Sequence, residues 1–251
     1  MDDVLPLIII FCASLLGGSF GTLVGGSSLI TIPLLLLMGL PPHTAIGTDR
    51  MGVNGVGMAG LYSFHRKGMM RYRLAFMMGI PCLLGSFIGA NLALQISPDL
   101  LRRFIVALTV ILLIFVAVNP GMGVAVERRP LTTGRHVLGG FLSFLVGIYG
   151  GFYGAGAATF LTYIMLFVYR QTFLESAANL KVAAVLMTVI SAATYAYHGA
   201  IHLPLGAAMF AGSFIGSYIG VHYSDRIGNV WIKRLFIGVI VIMVVKLIMD
   251  A

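Results

Sequence analysis

The sequence is poor in charge. Only 10% of its 251 residues are Asp, Glu, Lys or Arg, whereas 59% are hydrophobic. A water-soluble domain usually carries about a quarter charged residues, so this chain lacks the polar surface that would cover a globule in water. Its long polar stretches, residues 65–73 and 119–136, are too short to bury a core of their own. We therefore expect a protein surrounded mainly by lipid, without a soluble catalytic or nucleic-acid-binding domain.

Acidic residues and cysteines are scarce as well. The chain has 8 acidic residues, and apart from Asp49 and Glu175 they lie at the termini or in predicted loops. An intramembrane enzyme that modifies lipids needs a convergent set of reactive groups at one depth, which these two residues do not supply. Cys12 and Cys82 lie inside apolar runs, where the thiolate form that binds metals is disfavoured. We predict no enzyme active site, no metal site and no cofactor.

Long apolar segments are what the sequence does contain. A transmembrane helix needs about 20 apolar residues. Segments near that length are 4–24, 46–64, 74–96, 104–118, 138–158, 176–197, 203–221 and 235–249. Two shorter apolar pieces, 29–38 and 160–168, each follow a break of small residues, 25–28 or 154–157. Because unpaired backbone amides are costly in lipid, we expect both breaks to be buried in protein or to line a wet cavity.

The segments form an internal repeat. The stretch 85–89 (Gly-Ser-Phe-Ile-Gly) recurs in the second half of the chain as 216–220 (Gly-Ser-Tyr-Ile-Gly). The same spacing pairs Arg50 with Lys181, and a slightly shorter spacing pairs Gly25 with Gly154. Each copy holds about five helical segments. The predicted parts are a first transmembrane repeat (1–118), a cytoplasmic linker (119–136) and a second transmembrane repeat (137–251).

Loop charge indicates that the two repeats are inverted. Lys and Arg cluster within 66–73, whereas the equivalent stretch 198–205 contains neither. Positively charged loops stay on the cytoplasmic side of a membrane, so these equivalent loops should face opposite sides. We predict an all-α integral membrane protein of two inverted repeats, with short broken or re-entrant helices at the glycine-rich breaks. The net charge of +8 then fixes orientation and requires no nucleic-acid partner.

Interrupted helices in inverted repeats are typical of secondary transporters, which hold their substrate near the middle of the bilayer between the repeats. A helix that begins inside the membrane presents unpaired amides and a partial positive charge, and both favour an anion. Glycine at the break lets a ligand approach the backbone, and Ser27 and Ser28 add hydroxyl donors. The predicted substrate is therefore a small anion.

The motif around the first break resembles that of a known family. Residues 21–29, Pro33 and 45–48 are similar to the glycine-rich first motif of the TauE/SafE family, the sulfite-exporter-like permeases. The stretch 150–181 resembles the second copy, so the resemblance covers nearly the whole chain. It implies transport of a small sulfur-containing anion, such as sulfite, sulfoacetate or another organosulfonate, across the cytoplasmic membrane of a bacterium or archaeon. The family's longer glycine runs are interrupted here by Ser27, Ser28, Ala155 and Ala157.

The predicted substrate site joins the two breaks and the helix that follows each. Its residues are Gly25, Gly26, Ser27, Ser28, Thr48, Arg50, Tyr153, Gly154, Ala155, Gly156, Asn179 and Lys181. Arg50 and Lys181 are candidate paired cations for an oxyanion. Two alternatives stay open: Thr48 or Asp49 caps a helix while Arg50 reaches the membrane edge, or Asp49 pairs with Arg50 and leaves no charge for the substrate. Asn54 is a weaker candidate for contact with the substrate.

A secondary carrier for a small anion, coupled to a proton or another cation or running down a gradient, fits these features best. An anion channel on the same frame is the main alternative, and a lipid-modifying enzyme is less favoured. The sequence has no Walker motif through which ATP would drive transport directly. The small-residue pairs in 85–89 and 216–220 predict close helix packing and would permit a homodimer in the bilayer.

Overall fold

The computed structural model describes residues 4–107 and 132–223, and within those ranges every regular element is helical. In chain order the helices are α1 (Val4–Val24), α2 (Ser28–Leu37), α3 (Pro42–Arg66), α4 (Tyr72–Gln95), α5 (98–107), α6 (Thr133–Phe152), α7 (Ala157–Tyr163), α8 (Phe173–Tyr197) and α9 (Leu203–His222). A π-helical turn, Ile164–Val168, continues α7. The predicted segment 235–249, most of 104–118 and most of the predicted linker lie outside the described residues.

The helices follow the predicted segments with one clear difference. Hydropathy predicts one segment over 138–158, but α6 ends at Phe152 and residues 157–158 belong to α7. The cause is the backbone between them, where Gly154 and Gly156 have φ angles of 79° and 76°. Glycine adopts this left-handed conformation without the Cβ clash that other residues meet, and it commonly ends a helix.

Four helices in the described ranges are long and apolar enough to cross a membrane: Val4–Thr22, Tyr72–Gln95, Leu174–Tyr197 and Leu203–His222. The outer helices turn large apolar side chains outward, among them Ile8 on α1 and Ile80 on α4. Together with the absence of strands from the described ranges, these features make the chain an all-α, multi-pass membrane protein. The prediction of that fold class is confirmed.

The two short helices lie inside the protein. On α2, Leu29, Ile32 and Leu35 are buried, and on α7 Leu161 is buried as well. The breaks that precede them are therefore covered by neighbouring helices and do not face the hydrocarbon. This arrangement meets the requirement that irregular backbone at membrane depth be enclosed by protein.

Glycines let four helices approach one another closely in two pairs. A Cβ atom on Gly89 of α4 would collide with the carbonyl group of Ile148 on α6. A Cβ atom on Gly220 of α9 would collide in the same way with the carbonyl group of Ser19 on α1. Each pair joins one helix of the first repeat to one helix of the second. The predicted role of these small residues in close helix packing is thus observed.

Hydrogen bonds between the repeats are reciprocal. Ser86 Oγ on α4 donates to the carbonyl oxygen of Met187 at 2.8 Å, and Ser217 Oγ on α9 donates to the carbonyl oxygen of Val56 at 3.0 Å. The two serines occupy equivalent positions of the repeat, and so do the two residues whose carbonyl groups accept. These matched contacts support the internal repeat. The opposite orientation of the two halves stays a prediction.

Candidate functional site

The two breaks meet in the interior. Gly25 has a φ angle of 82°, and a Cβ atom there would lie 2.9 Å from Thr159 Oγ1 and 3.1 Å from Ala158 Cβ. The end of the first break therefore packs against the first turn of α7. A cavity of about 40 Å³ opens between the two breaks, α3 and α8. The predicted residues that line it are Gly25, Gly26, Ser27, Ser28, Arg50, Gly154, Gly156 and Lys181.

Arg50 on α3 forms a buried ion pair with Asp49. Nη2 of Arg50 donates to Oδ2 of Asp49 and also to Ser28 Oγ at 2.9 Å. Ser28 Oγ donates to the same carboxylate oxygen at 2.8 Å, and Thr31 Oγ1 donates to Oδ1. Asp49 and Arg50 expose 0% and 1% of their side chains. Of the alternatives that the sequence left open, the structure has the one in which Asp49 pairs with Arg50.

The other edge of the Arg50 guanidinium faces the second break. Nη1 donates to the carbonyl oxygen of Gly150 at 3.4 Å, near the end of α6. The guanidinium also lies against Gly154, where a Cβ atom would overlap Arg50. Nε is buried and has no hydrogen-bond partner among the described residues. Arg50 therefore keeps donor capacity that the described protein groups do not use.

Lys181 on α8 supplies the second buried cation. Its Nζ atom donates to the carbonyl oxygen of Thr22 at 2.6 Å, in the last turn of α1. Its stem lies against Gly60 on α3, whose missing side chain makes room for it. Lys181 is only 2% exposed, and no carboxylate pairs with it within the ranges that the structure covers. A buried lysine without a counter-ion is costly in a membrane protein, which makes Lys181 a candidate ion-binding residue.

Each of the two basic side chains contacts a helix end in the other repeat. Arg50 in the first repeat reaches the end of α6 in the second, and Lys181 in the second repeat reaches the end of α1 in the first. Each cation thus contacts backbone carbonyls that a broken helix leaves without intrahelical partners. The crossing places both positive charges at the same cavity.

Thr48 and Asn179 lie near the site but do not line the cavity; their side chains form hydrogen bonds with loops. Thr48 Oγ1 accepts a hydrogen bond from the backbone nitrogen of His202 at 2.9 Å. Asn179 Oδ1 accepts one from the backbone nitrogen of Arg71 at 2.6 Å, and its amide nitrogen donates to Gln171. The two backbone donors are again equivalent in the repeat. These side chains hold the loop that follows the partner repeat's long helix.

Tyr153 and Ala155 are buried at the second break without lining the cavity. The carbonyl oxygen of Ala155 accepts a hydrogen bond from Tyr149 Oη at 2.5 Å, and the Tyr149 and Tyr153 rings meet edge to face. They support the shape of the break. Asn54 donates to the carbonyl oxygen of Arg50 at 3.0 Å and accepts from Thr188, whose side chain does line the cavity.

Sequence reasoning did not assign Asp49, Thr31 or Thr188 to the site. Thr31 lies one helical turn after Ser28 on α2, so the two side chains share one face of the helix, and the position of Ser28 at the break could have identified Thr31. No signal in the sequence marks Thr188. Within the described ranges no group of three or more His, Cys, Asp or Glu side chains is placed to hold a metal ion.

Comparison with known proteins agrees with this architecture. The profile of the family described as "Sulfite exporter TauE/SafE" matches residues 10–247. A probable membrane transporter protein of a Sinorhizobium species is 28% identical over 247 residues, which cover 97% of this chain and 93% of that protein. A probable membrane transporter protein of Haemophilus influenzae is 28% identical, and the match covers 82% of this chain and 80% of that protein. One of Bacillus subtilis is 24% identical, and the match covers 91% of this chain and 93% of that protein.

No solved structure matches the chain. The family profile spans both repeats and both breaks, far more than half of the sequence. Members of this family are membrane transporters and not enzymes. The chain belongs to the TauE/SafE sulfite exporter family and is a multi-pass membrane protein of that transporter family.

Proposed function

We propose that the chain is a secondary carrier that binds a small sulfur-containing anion in the cavity between the two breaks and moves it across the cytoplasmic membrane. The observation that carries the proposal is the cavity with Lys181, a buried cation without a carboxylate partner in the described residues. Asp49 and Arg50 cancel each other's charge, so the site has a net positive charge whenever the Lys181 amine is protonated. An anion would neutralise it.

The size of the cavity favours a compact oxyanion. A cavity of about 40 Å³ has room for roughly three water molecules, because one water needs about 10–15 Å³. Sulfite fills such a space better than sulfoacetate or a longer organosulfonate. The family's name supports the same class of substrate.

The burial of the site favours a carrier over an open channel. Arg50 and Lys181 are almost inaccessible to water, although both line the cavity. A carrier occludes its substrate between two barriers, whereas a conducting channel keeps a continuous wet path. We expect alternating access around this cavity.

Binding by purified protein in detergent tests the proposal. Ligands that bind the folded state raise the melting temperature by mass action. We expect sulfite or thiosulfate to raise it and acetate to have little effect. Lys181→Gln should abolish the rise. Lys67→Gln is the matched control, since Lys67 Nζ also donates to a helix-end carbonyl, that of Val221 at 3.1 Å, but lies outside the cavity.

Flux measurements then separate carrier from channel. Protein in liposomes should show saturable uptake of radiolabelled sulfite or thiosulfate and counterflow against a preloaded anion. Unitary current steps without counterflow would establish the channel. A purified protein whose melting temperature responds to none of the anions, and whose liposomes take up none, would overturn the proposed function.

A further inference from the structure

The ion pair at the cavity suggests how transport is coupled. We propose that Asp49 carries a coupling proton: the anion binds when Asp49 is protonated and takes over the Arg50 guanidinium that the carboxylate held. This inference rests on the proposed function. It assigns Asp49, Ser28 and Thr31 a joint role as the proton-binding element of the site.

The repeat provides an internal comparison for this cluster. Asp49 corresponds to Leu180 in the second copy, although the neighbouring Arg50 corresponds to another cation. Counted from the equivalent glycines Gly25 and Gly154, Ser28 corresponds to Ala157 and Thr31 to Phe160. The acid and both of its hydroxyl donors are thus replaced together by apolar residues. Because the second repeat folds without this cluster, the packing of a repeat does not require it.

The carboxylate receives the guanidinium donors of Arg50 that a bound oxyanion would also use. Asp49 is fully buried and receives Arg50 Nη2 and Ser28 Oγ on one oxygen and Thr31 Oγ1 on the other. Arg50 offers a planar fork of donors suited to one carboxylate or oxyanion at a time. An anion in the cavity therefore competes with ionised Asp49 for the guanidinium.

Protonation of Asp49 removes this competition and leaves no buried polar group of the carboxyl without a hydrogen-bond partner. A neutral Asp49 has one O–H donor, and Ser28 or Thr31 can accept it because a hydroxyl both donates and accepts. The charge of the cluster rises by one when the proton binds. Arg50 and Lys181 then present two uncompensated positive charges, which match a dianion such as thiosulfate.

Other titratable groups surround the pair and have to be distinguished from Asp49. Lys181 on α8 lines the same cavity. The phenols of Tyr149 on α6 and Tyr195 on α8 lie within electrostatic reach of Arg50. From α2, Asp49 faces only the two hydroxyls that donate to it. Phenols are normally neutral near pH 7, so Lys181 is the group that a test must separate from Asp49.

The test measures thiosulfate binding to purified protein at several values between about pH 6 and about pH 8, where thiosulfate stays a dianion and any titration belongs to the protein. For the wild type we expect the affinity to fall by up to about tenfold for each pH unit as the pH rises, because ionised Asp49 must regain its proton. In weakly buffered solution, binding should take up about one proton per thiosulfate. Asp49→Asn, which mimics the protonated state, should bind at all pH values as tightly as the wild type does at low pH.

The outcomes are separable. If thiosulfate does not bind the wild type at any pH, the proposed function fails for this anion and the inference with it. If thiosulfate binds the wild type without proton uptake, or Asp49→Asn keeps the pH dependence, only the inference is overturned. If the dependence persists in Asp49→Asn and disappears in Lys181→Arg, whose guanidinium keeps its charge at these pH values, the proton belongs to Lys181 and the assignment to Asp49 is wrong. Should Asp49→Asn fail to fold, the proton uptake of the wild type and the pH profile of Thr31→Val decide. Thr31→Val removes one hydrogen bond that stabilises ionised Asp49, so it should bind thiosulfate more tightly than the wild type at about pH 8. An unchanged profile contradicts the inference.

Discussion

The Nζ atom of Lys181 lies 2.6 Å from the carbonyl oxygen of Thr22, so that a buried lysine of the second repeat caps the C-terminal end of α1 in the first repeat. The last carbonyls of a helix have no intrahelical partner, and their partial negative charge attracts a cation. An anion in the cavity must share this ammonium with Thr22 or draw it away. The bond therefore links occupancy of the cavity to the position of α1.

Gly60→Ala should weaken anion binding by displacing Lys181. A Cβ atom at Gly60 would lie 2.7 Å from Cε and 2.9 Å from Cδ of Lys181, so the flexible stem has to move. We expect about a tenfold loss of thiosulfate affinity, about 1.4 kcal/mol, with little change in the melting temperature of the unliganded protein. Gly134→Ala, where the new methyl group meets nothing within 4 Å, is the control. Unchanged affinity in Gly60→Ala would show that Lys181 does not hold the anion.

Gly154→Ala should cost more stability than Gly199→Ala, although both glycines have positive φ angles of 79° and 69°. At Gly199 a Cβ atom meets no neighbour, so the substitution reports the backbone cost alone, about 1–2 kcal/mol. At Gly154 the same atom also overlaps the Arg50 guanidinium and would lie 2.6 Å from the carbonyl oxygen of Gly150. Comparing the melting temperatures isolates this second contribution. Equal losses would mean that Arg50 does not rest on Gly154.

Gly147→Ala and Gly140→Ala, on the same helix, test the close packing of α6 against α4. A Cβ atom at Gly147 would collide with the backbone of Cys82, whereas one at Gly140 lies 3.8 Å from Pro81 Cγ, an ordinary contact. We expect Gly147→Ala to lose about 1–3 kcal/mol through overpacking. Gly140→Ala should be neutral or slightly stabilising because alanine favours a helix. Denaturant unfolding in detergent micelles measures both. Similar stabilities of the two variants would contradict the observed packing.

The Asp49–Arg50 pair should be strongly non-additive in a double-mutant cycle. Arg50→Gln leaves a buried carboxylate without its cation, which typically costs about 3–5 kcal/mol. Adding Asp49→Asn removes that charge, so the double variant should recover much of the lost stability. Unfolding free energies of the wild type, the two single variants and the double variant give the coupling. Additive losses would mean that the pair does not persist in the membrane protein.

Much of the architecture could be predicted from the sequence because hydropathy and the repeat act on many residues at once. The span 4–24 coincides with α1, and the short pieces after both breaks became α2 and α7. The break at 154–157 was predicted from its small residues, but the hydropathy span 138–158 ran past the end of α6, because Gly154 and Gly156 end the helix through backbone conformation, which apolarity does not register. The glycine pairs were recognised by their spacing, but their partners on α1 and α6 required the structure.

The site was less predictable because burial and direction decide which polar groups face the cavity. Arg50 and Lys181 could be identified by their equivalent positions in the repeat. Thr48 and Asn179 share that property, yet their side chains hold loops instead. Asp49 was considered only as a partner of Arg50, since the sequence does not show that two hydroxyls from α2 would converge on it.

The tight glycine interfaces also restrict how the molecule can rearrange. They tie α1 to α9 and α4 to α6, so each firmly packed group of helices combines elements of both repeats. A rocking motion that keeps these interfaces intact cannot swing one repeat past the other as separate bodies. Because α3 packs more extensively on α9, and α8 on α4, than α3 and α8 pack on each other, we expect the motion to open the seam where α3 meets α8. Arg50 lies on one side of that seam and Lys181 on the other.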